Sequence, residues 1–287
     1  MQWMFAFILS MSFTIWMIPL LIRIAPRLGL MDLPDARKVH SQPIPRAGGV
    51  AMGVAIISAV FFWGGRSNYN WAYIAALIVI LCFGVQDDRL NISPAWKFFG
   101  QGLSTLIIMF YGQLVIGWYF SGEDHLIPSW ISLPLTLFTI IGFTNAINLS
   151  DGLDGLAGGL SAMCLIGVLL MALSCDSKEI ALLSAVSLGA VLGFLRFNTH
   201  PARIFMGDAG SQLMGFSIAV LSISLSQHIS VPYSAAMPLL LLGVPVMDTL
   251  TVMTKRVLSG RSPFQADRNH FHHKLLSFGL LHRESVA

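Results

Sequence analysis

Residues 129–155 read SWISLPLTLFTIIGFTNAINLSDGLDG. The run through Ile147 is apolar and has the length that crosses a lipid bilayer as a helix, about 17–25 residues. It then turns polar, with Asn145, Asn148, Asp151 and Asp154 recurring at every third position. Carboxylates and amides beside hydrocarbon are costly to desolvate, so such a cluster points to a bound ion or polar ligand. At this spacing the four side chains stay on one broad helical face. The glycines at 152, 155, 158 and 159 then open the backbone for close approach by a ligand or a neighbouring helix.

Eight similar apolar runs surround this one. The nine spans expected lie near 3–24, 48–64, 71–86, 98–120, 129–147, 158–174, 180–197, 212–227 and 235–254. Apolar residues form 55% of the chain and charged residues only 11%, too few to cover a soluble protein of 287 residues. The fold class is all-α: a polytopic helical membrane protein, one integral-membrane domain over 1–287. No internal repeat, low-complexity tract or separate soluble domain is visible. The first 24 residues lack the basic start and small-residue cleavage site of a secretory signal, so they are expected to remain as a span.

Assigning the loops alternately to two sides puts 15 of the 17 Lys and Arg residues on one side, leaving only Arg66 and Lys178 on the other. The positive-inside rule makes the basic side cytoplasmic, with the N-terminus outside and the C-terminus inside. Four polar clusters fall on that same side without having been used to define it: Asp87-Asp88, the Asn145–Asp154 run, Asp208, and the histidines of RNHFHH. The net charge of +3 belongs to this topology and implies no nucleic-acid partner. Cys82, Cys164 and Cys175 show no metal or disulfide spacing.

Each cluster carries a chemical reading and a plainer one. Adjacent Asp87 and Asp88 raise each other's pKa unless a cation offsets them, and Mg2+ held by one or two carboxylates plus substrate phosphates is the usual remedy. The plainer reading is a cap at a helix end. Lys97 and Gln101, one turn apart at the start of the next span, place an ammonium where a phosphate could meet it, although Lys97 also suits a snorkelling interfacial lysine. In FMGDAGS, Asp208 sits before the eighth span, where it could take metal while free N–H groups and Ser211 hold a phosphate. Capping is the alternative.

His270, His272 and His273 lie between Arg268 and Lys274. Zinc is one reading, but no second His or Cys pair stands at the expected spacing, and a cationic loop over an anionic substrate fits better. Attraction to lipid headgroups is the plainer account. In the first basic loop, DLPDARKVHSQPIPRAGG, the residues Lys38, His40 and Arg46 are potential phosphate partners. Asp248, inside the ninth span, reads as a structural or supporting acid. No P-loop, GxSxG or HExxH pattern is present. The set fits Mg2+-assisted phosphoryl transfer, where positioning and charge stabilisation dominate.

DDR after a span, NAINLSDGLDGLAGG, RIFMGDAGS, PVMD and SPFQADRNHFHH, in this order, resemble the polyprenyl-phosphate N-acetylhexosamine-1-phosphate transferases, and in particular the WecA and TagO type. The likeness runs from about residue 20 to residue 280. It implies transfer of N-acetylglucosamine-1-phosphate from UDP-N-acetylglucosamine to undecaprenyl phosphate. UMP would be released, and synthesis of O-antigen, common antigen or another envelope polymer would begin at the bacterial inner membrane, on its cytoplasmic face. Mg2+ is the implied cofactor, with Mn2+ a substitute, and a homodimer is compatible with the family.

Carried over residue by residue, Asp87 and Asp88 match the catalytic acidic pair. Asp208 matches the metal aspartate, with Asn148 beside it. Asp151, Asp154, Arg268, His270, His272 and His273 match the nucleotide-sugar side. Lys97 matches a lysine near the phosphates, Lys38 joins it from the first-loop reading as a phosphate partner, and Asn145 and Asp248 are supporting residues. Members usually continue past the His loop with one or two further spans, whereas this sequence stops at Ala287.

Three rivals carry distinct expectations. A transporter should place polar groups at the bilayer midplane and on both sides. A zinc hydrolase would be restored by zinc after chelation. An inactive homologue should have lost its acids.

Overall fold

The computed structural model describes residues 2–34, 42–117, 127–228 and 237–260. Ten helices account for most of the described residues: α1 (Gln2–Leu28), α2 (Gly48–Trp63), α3 (Asn68–Leu90), α4 (Pro94–Phe110), α5 (Ser129–Leu149), α6 (Leu156–Ser174), α7 (Lys178–Asn198), α8 (Gly207–His228), α9 (Met237–Leu241) and α10 (Gly243–Leu258). Among the described residues, six of them (α1, α3, α5, α6, α7 and α8) are long and apolar enough to cross a membrane. The protein is a multi-pass membrane protein.

Two runs differ from their expected limits. The run expected over 98–120 forms a helix only over Pro94–Phe110. Beyond it the Leu114 N–H turns back onto the Ile108 carbonyl at 3.3 Å. The ninth run breaks at Leu242 into the five-residue α9 and the longer α10. Gly243 and Pro245, just after the break, supply the local reason: glycine and proline both disfavour a continuous helix interior.

The chain is not wholly helical. β1 (Met31–Asp32) and β2 (Ile44–Pro45) form a two-residue antiparallel ladder at the mouth of the first loop. This ladder joins the segment after α1 to the segment before α2, and hydrogen bonds tie the latter to the segment before α8. Phe205 donates to the Pro45 carbonyl at 2.8 Å, and the Gly48 and Gly49 N–H groups donate to Phe205 and Met206, each at 3.0 Å. Arg46 is fixed there by an ion pair with Asp32.

α8 is the axis of the bundle. Its apolar window is 94% buried, against 28% for α1 on the outside, and it packs on α2, α3, α5, α6, α7 and α9. Lipid is as apolar as leucine, so helix association here rests on close packing and interhelical hydrogen bonds rather than on expelling water. The N-terminus of α8 therefore lies surrounded by other helix ends, and the polar clusters gather there.

Candidate active site

The α3–α4 turn builds the first wall. Asn91 adopts φ 47 and closes α3, its N–H donating to the Asp87 carbonyl at 2.8 Å. Pro94 then opens α4 after only three linking residues, a position that suits proline because its missing N–H has no helical partner. This tight reversal returns Lys97 beside the last turn of α3. The Lys97 ammonium ion-pairs with Asp87 and stands 3.9 Å from Asp208 Oδ1. Asp87 is almost fully buried while Lys97 remains 31% exposed, so the pair presents its cationic end to solvent.

Asp88 faces the other way, onto α8. Its Oδ1 accepts the Asp208 N–H at 2.8 Å and its Oδ2 the Ala209 N–H at 2.9 Å. The first N–H groups of a helix have no internal partner and carry partial positive charge, so a carboxylate is well placed there. Two of the N–H groups expected to be free for a phosphate are thus taken by Asp88. Two glycines permit the arrangement. Gly84, one turn before Asp88, lets α3 touch the backbone of Ala209, and at Gly207, φ +71, a Cβ would lie 2.5 Å from Asp88 Oδ2.

α5 supplies the third wall. Asn148 Nδ2 donates to Asp208 Oδ1 and to Ser211 Oγ, each at 2.8 Å. Asn145, one turn deeper, exchanges hydrogen bonds with Gln101 of α4. Asp248 is buried on α10, which packs against α5.

The expectation that all four residues of the every-third pattern share a helical face holds only for Asn145 and Asn148. α5 ends at Leu149, and Asp151 and Asp154 lie in the 150–155 loop. Ser150 stops the helix by donating its N–H back into the last turn, and the glycines beyond do not resume helix until Leu156. The loop is held by contacts that run to the α7–α8 connection. Asp154 Oδ2 accepts the Ala202 N–H at 3.1 Å and lies 2.9 Å from His200 Nδ1. Asn198 accepts from the Gly155 N–H and donates to the Ile204 carbonyl, both at 2.9 Å. Asp151 is exposed on this loop, with protein packed close enough to desolvate its carboxyl in part. That desolvation pushes its pKa up to about 7; Asp208 and Asp154 push the same way, and the Arg46 guanidinium opposes them.

Asp87, Asp88, Lys97, Asn148 and Asp208 therefore converge at one end of the bundle, with Asp151 and Asp154 on the adjoining loop. Lys38, Arg268, His270, His272 and His273 lie outside the described residues. The sequence reading did not single out Asn198, His200 or Gln212. His200 and Asn198 fall in FNTHPAR, where the signal was a pair of polar side chains just before a proline.

Residues 70–226 match glycosyl transferase family 4. The matched stretch runs from α3 into α8 and so contains every described residue of the convergence. A Bacillus subtilis protein named "Probable undecaprenyl-phosphate N-acetylglucosaminyl 1-phosphate transferase" is 39% identical over 286 residues, covering 98% of this chain and 79% of its own. The chain belongs to glycosyl transferase family 4.

Two further relatives widen the comparison. The "Decaprenyl-phosphate N-acetylglucosaminephosphotransferase" of Mycobacterium tuberculosis is 36% identical over 296 residues, covering 92% of this chain and 73% of its own. The "Undecaprenyl-phosphate alpha-N-acetylglucosaminyl 1-phosphate transferase" of Escherichia coli K12 is 29% identical over 279 residues, covering 92% and 74%. This family 4 protein is thus a membrane-embedded transferase. The carboxylates around its Lys97 are those of Asp87 and Asp208, and the Asn148 amide is hydrogen-bonded to Asp208. Among the described residues no three His, Cys, Asp or Glu side chains form a ready-made cage, and Mg2+ bound through one or two carboxylates and substrate phosphates requires none.

Proposed function

We propose that the protein transfers N-acetylglucosamine-1-phosphate from UDP-N-acetylglucosamine to undecaprenyl phosphate, releasing UMP and starting an O-antigen, common-antigen or related envelope polymer. The supporting observation is the single ammonium of Lys97 set between Asp87 and Asp208 at one end of an apolar bundle. A phosphate-bearing lipid and a charged nucleotide can meet only where hydrocarbon ends and compensating charge begins.

An oxygen of the lipid phosphate attacks the sugar-bearing phosphorus of the UDP-sugar. The bond from that phosphorus to the bridging oxygen breaks, and UMP departs with that oxygen. Asp87 is the member of the acidic pair available to the lipid phosphate, since both oxygens of Asp88 are engaged by α8. Lys97 steadies the phosphates. Asp151 and Asp154, with Arg268, His270, His272 and His273, form the nucleotide-sugar side, and Lys38 adds to the phosphate side.

The donor set is hard and oxygen-rich, which fits Mg2+ or Mn2+ that Asp208 would hold with Asn148. When bound, the metal offsets negative charge on the diphosphate as the bond breaks. The reading extends to nine spans, an external N-terminus and a site on the cytoplasmic face of the bacterial inner membrane, supported by the basic loops gathered on one side.

The test is UMP release by the purified protein in detergent with undecaprenyl phosphate, UDP-N-acetylglucosamine and Mg2+. Lipid-dependent, chelator-sensitive UMP that Asp208→Ala abolishes is the expected result. UMP only from UDP-N-acetylgalactosamine or another UDP-sugar would change the donor. No UMP from any UDP-sugar would overturn the reaction.

A further inference from the structure

Beneath Lys97, Asn148 and Asp208 lies a second set of polar side chains that the proposed chemistry does not use. Gln101 follows Lys97 by four residues on α4, Asn145 precedes Asn148 by three on α5, and Gln212 follows Asp208 by four on α8. α4 and α8 run away from the site, and α5 runs toward it. Each amide is therefore one helical turn, about 5–6 Å, deeper in the bundle than its site residue and on the same face. Three helices distant in sequence thus place an amide at one depth, and the amides meet. Asn145 Nδ2 donates to Gln101 Oε1 at 2.7 Å, Gln101 Nε2 lies 3.4 Å from Asn145 Oδ1, and Gln101 Nε2 donates to Gln212 Oε1 at 3.0 Å. Asn145 also donates to the Ile141 carbonyl of its own helix at 2.8 Å, which fixes its rotamer to the backbone.

We infer that Gln101, Asn145 and Gln212 form a positioning layer that sets the rotation and depth of α4, α5 and α8, and so holds Lys97, Asn148 and Asp208 in register; the inference rests on the transferase reading above. Gln101 and Gln212 are each only 2% exposed, so neither is available to a substrate. Apolar side chains would fill the same space in a lipid-embedded bundle, but they tolerate sliding and rotation. A buried amide pair has one good register, as single polar residues at coiled-coil seams demonstrate. Interhelical amide bonds are a recognised means of joining helices in membranes. Here they join the three helices that carry the ammonium, the amide and the aspartate of the site.

The experiment compares Gln101→Leu, Gln212→Leu and the double variant with the wild type, measuring kcat and KM for UMP release and the thermal midpoint in detergent. Positioning partners of this kind typically change activity by about 10–100-fold. We expect a fall in kcat of that size with little change in KM, and a double variant no worse than the poorer single, because both break one unit. Tyr69→Phe is the control. It removes a half-buried contact with Ser224 at the far end of α3 and α8, and should lower the thermal midpoint while leaving kcat alone. If Gln101→Leu does not fold, Gln212→Leu carries the comparison, because it leaves the Gln101–Asn145 pair intact. Wild-type kcat in folded glutamine variants would overturn the positioning role and leave the transferase reading standing. A wild type that releases no UMP would overturn the reading and this inference with it.

Discussion

Asp88 is bound to the helix that presents Asp208: its two carboxylate oxygens take the Asp208 and Ala209 N–H groups at 2.8 and 2.9 Å. The acids of two different motifs, 120 residues apart, are thereby linked by one side chain bound to backbone rather than by two flexible side chains. In Asp88→Ala two buried N–H groups lose their partner, at about 1–3 kcal/mol for each group left unsatisfied. Asp88→Asn keeps one acceptor. The thermal midpoint should fall in both variants and further in Asp88→Ala, with turnover falling in the same order. Equal midpoints for the wild type and Asp88→Ala would remove the cap from the account.

Gly207 offers a sharper test of the same junction. A Cβ there would meet Asp88 Oδ2 at 2.5 Å, on a backbone already at φ +71. Gly207→Ala should therefore displace Asp88 and lose most turnover. Gly142→Ala on α5, where a Cβ would meet nothing within 4 Å, should retain activity and gain a few tenths of a kcal/mol in stability from helix propensity, up to about 1 kcal/mol. Comparable activity in the two variants would show that the α3–α8 junction tolerates more movement than its packing implies.

Much of this arrangement was legible because membranes make polar residues conspicuous. Asp87, Asp88, Asn148 and Asp208 stand out against apolar runs, and the sidedness of the basic residues by itself gathers them at one face. What each acid does was not legible. Whether Asp88 meets a ligand or a helix end depends on α8 lying against α3, a long-range fact that no local pattern encodes. Gln212 was overlooked for the same reason, since one glutamine in an apolar run gains meaning only when Gln101 appears opposite. The break at Leu242 and the end of α4 at Phe110 were hidden because hydropathy persists where the helix does not.

Lys97 is the only described cation within ion-pair distance of Asp87 or Asp208. Lys97→Met keeps the aliphatic bulk but leaves the two carboxylates facing each other without it. Removing one preorganised group of this type from a charged transition state commonly lowers turnover by about 10²–10³-fold. A loss on the order of 10² in kcat is expected, with the fold retained as judged by size-exclusion profile and thermal midpoint. A variant that keeps kcat but needs more undecaprenyl phosphate would instead assign Lys97 to ground-state lipid binding.

Asn198 ties the loop carrying Asp151 and Asp154 to the loop leading into Asp208, through Gly155 on one side and Ile204 on the other. It is 5% exposed, so it touches no substrate and its effect must pass through those loops. Asn198→Ala leaves one buried N–H and one carbonyl unpaired, about 1–3 kcal/mol for each group, and frees the 150–155 segment. Because that segment is assigned to the nucleotide-sugar side, KM for UDP-N-acetylglucosamine should rise while KM for undecaprenyl phosphate stays put. Steady-state kinetics with each substrate varied in turn would separate the two. A rise confined to the lipid substrate would move Asp151 and Asp154 to the acceptor side of the site, and a fall in kcat alone would make the loop part of the machinery around Asp208.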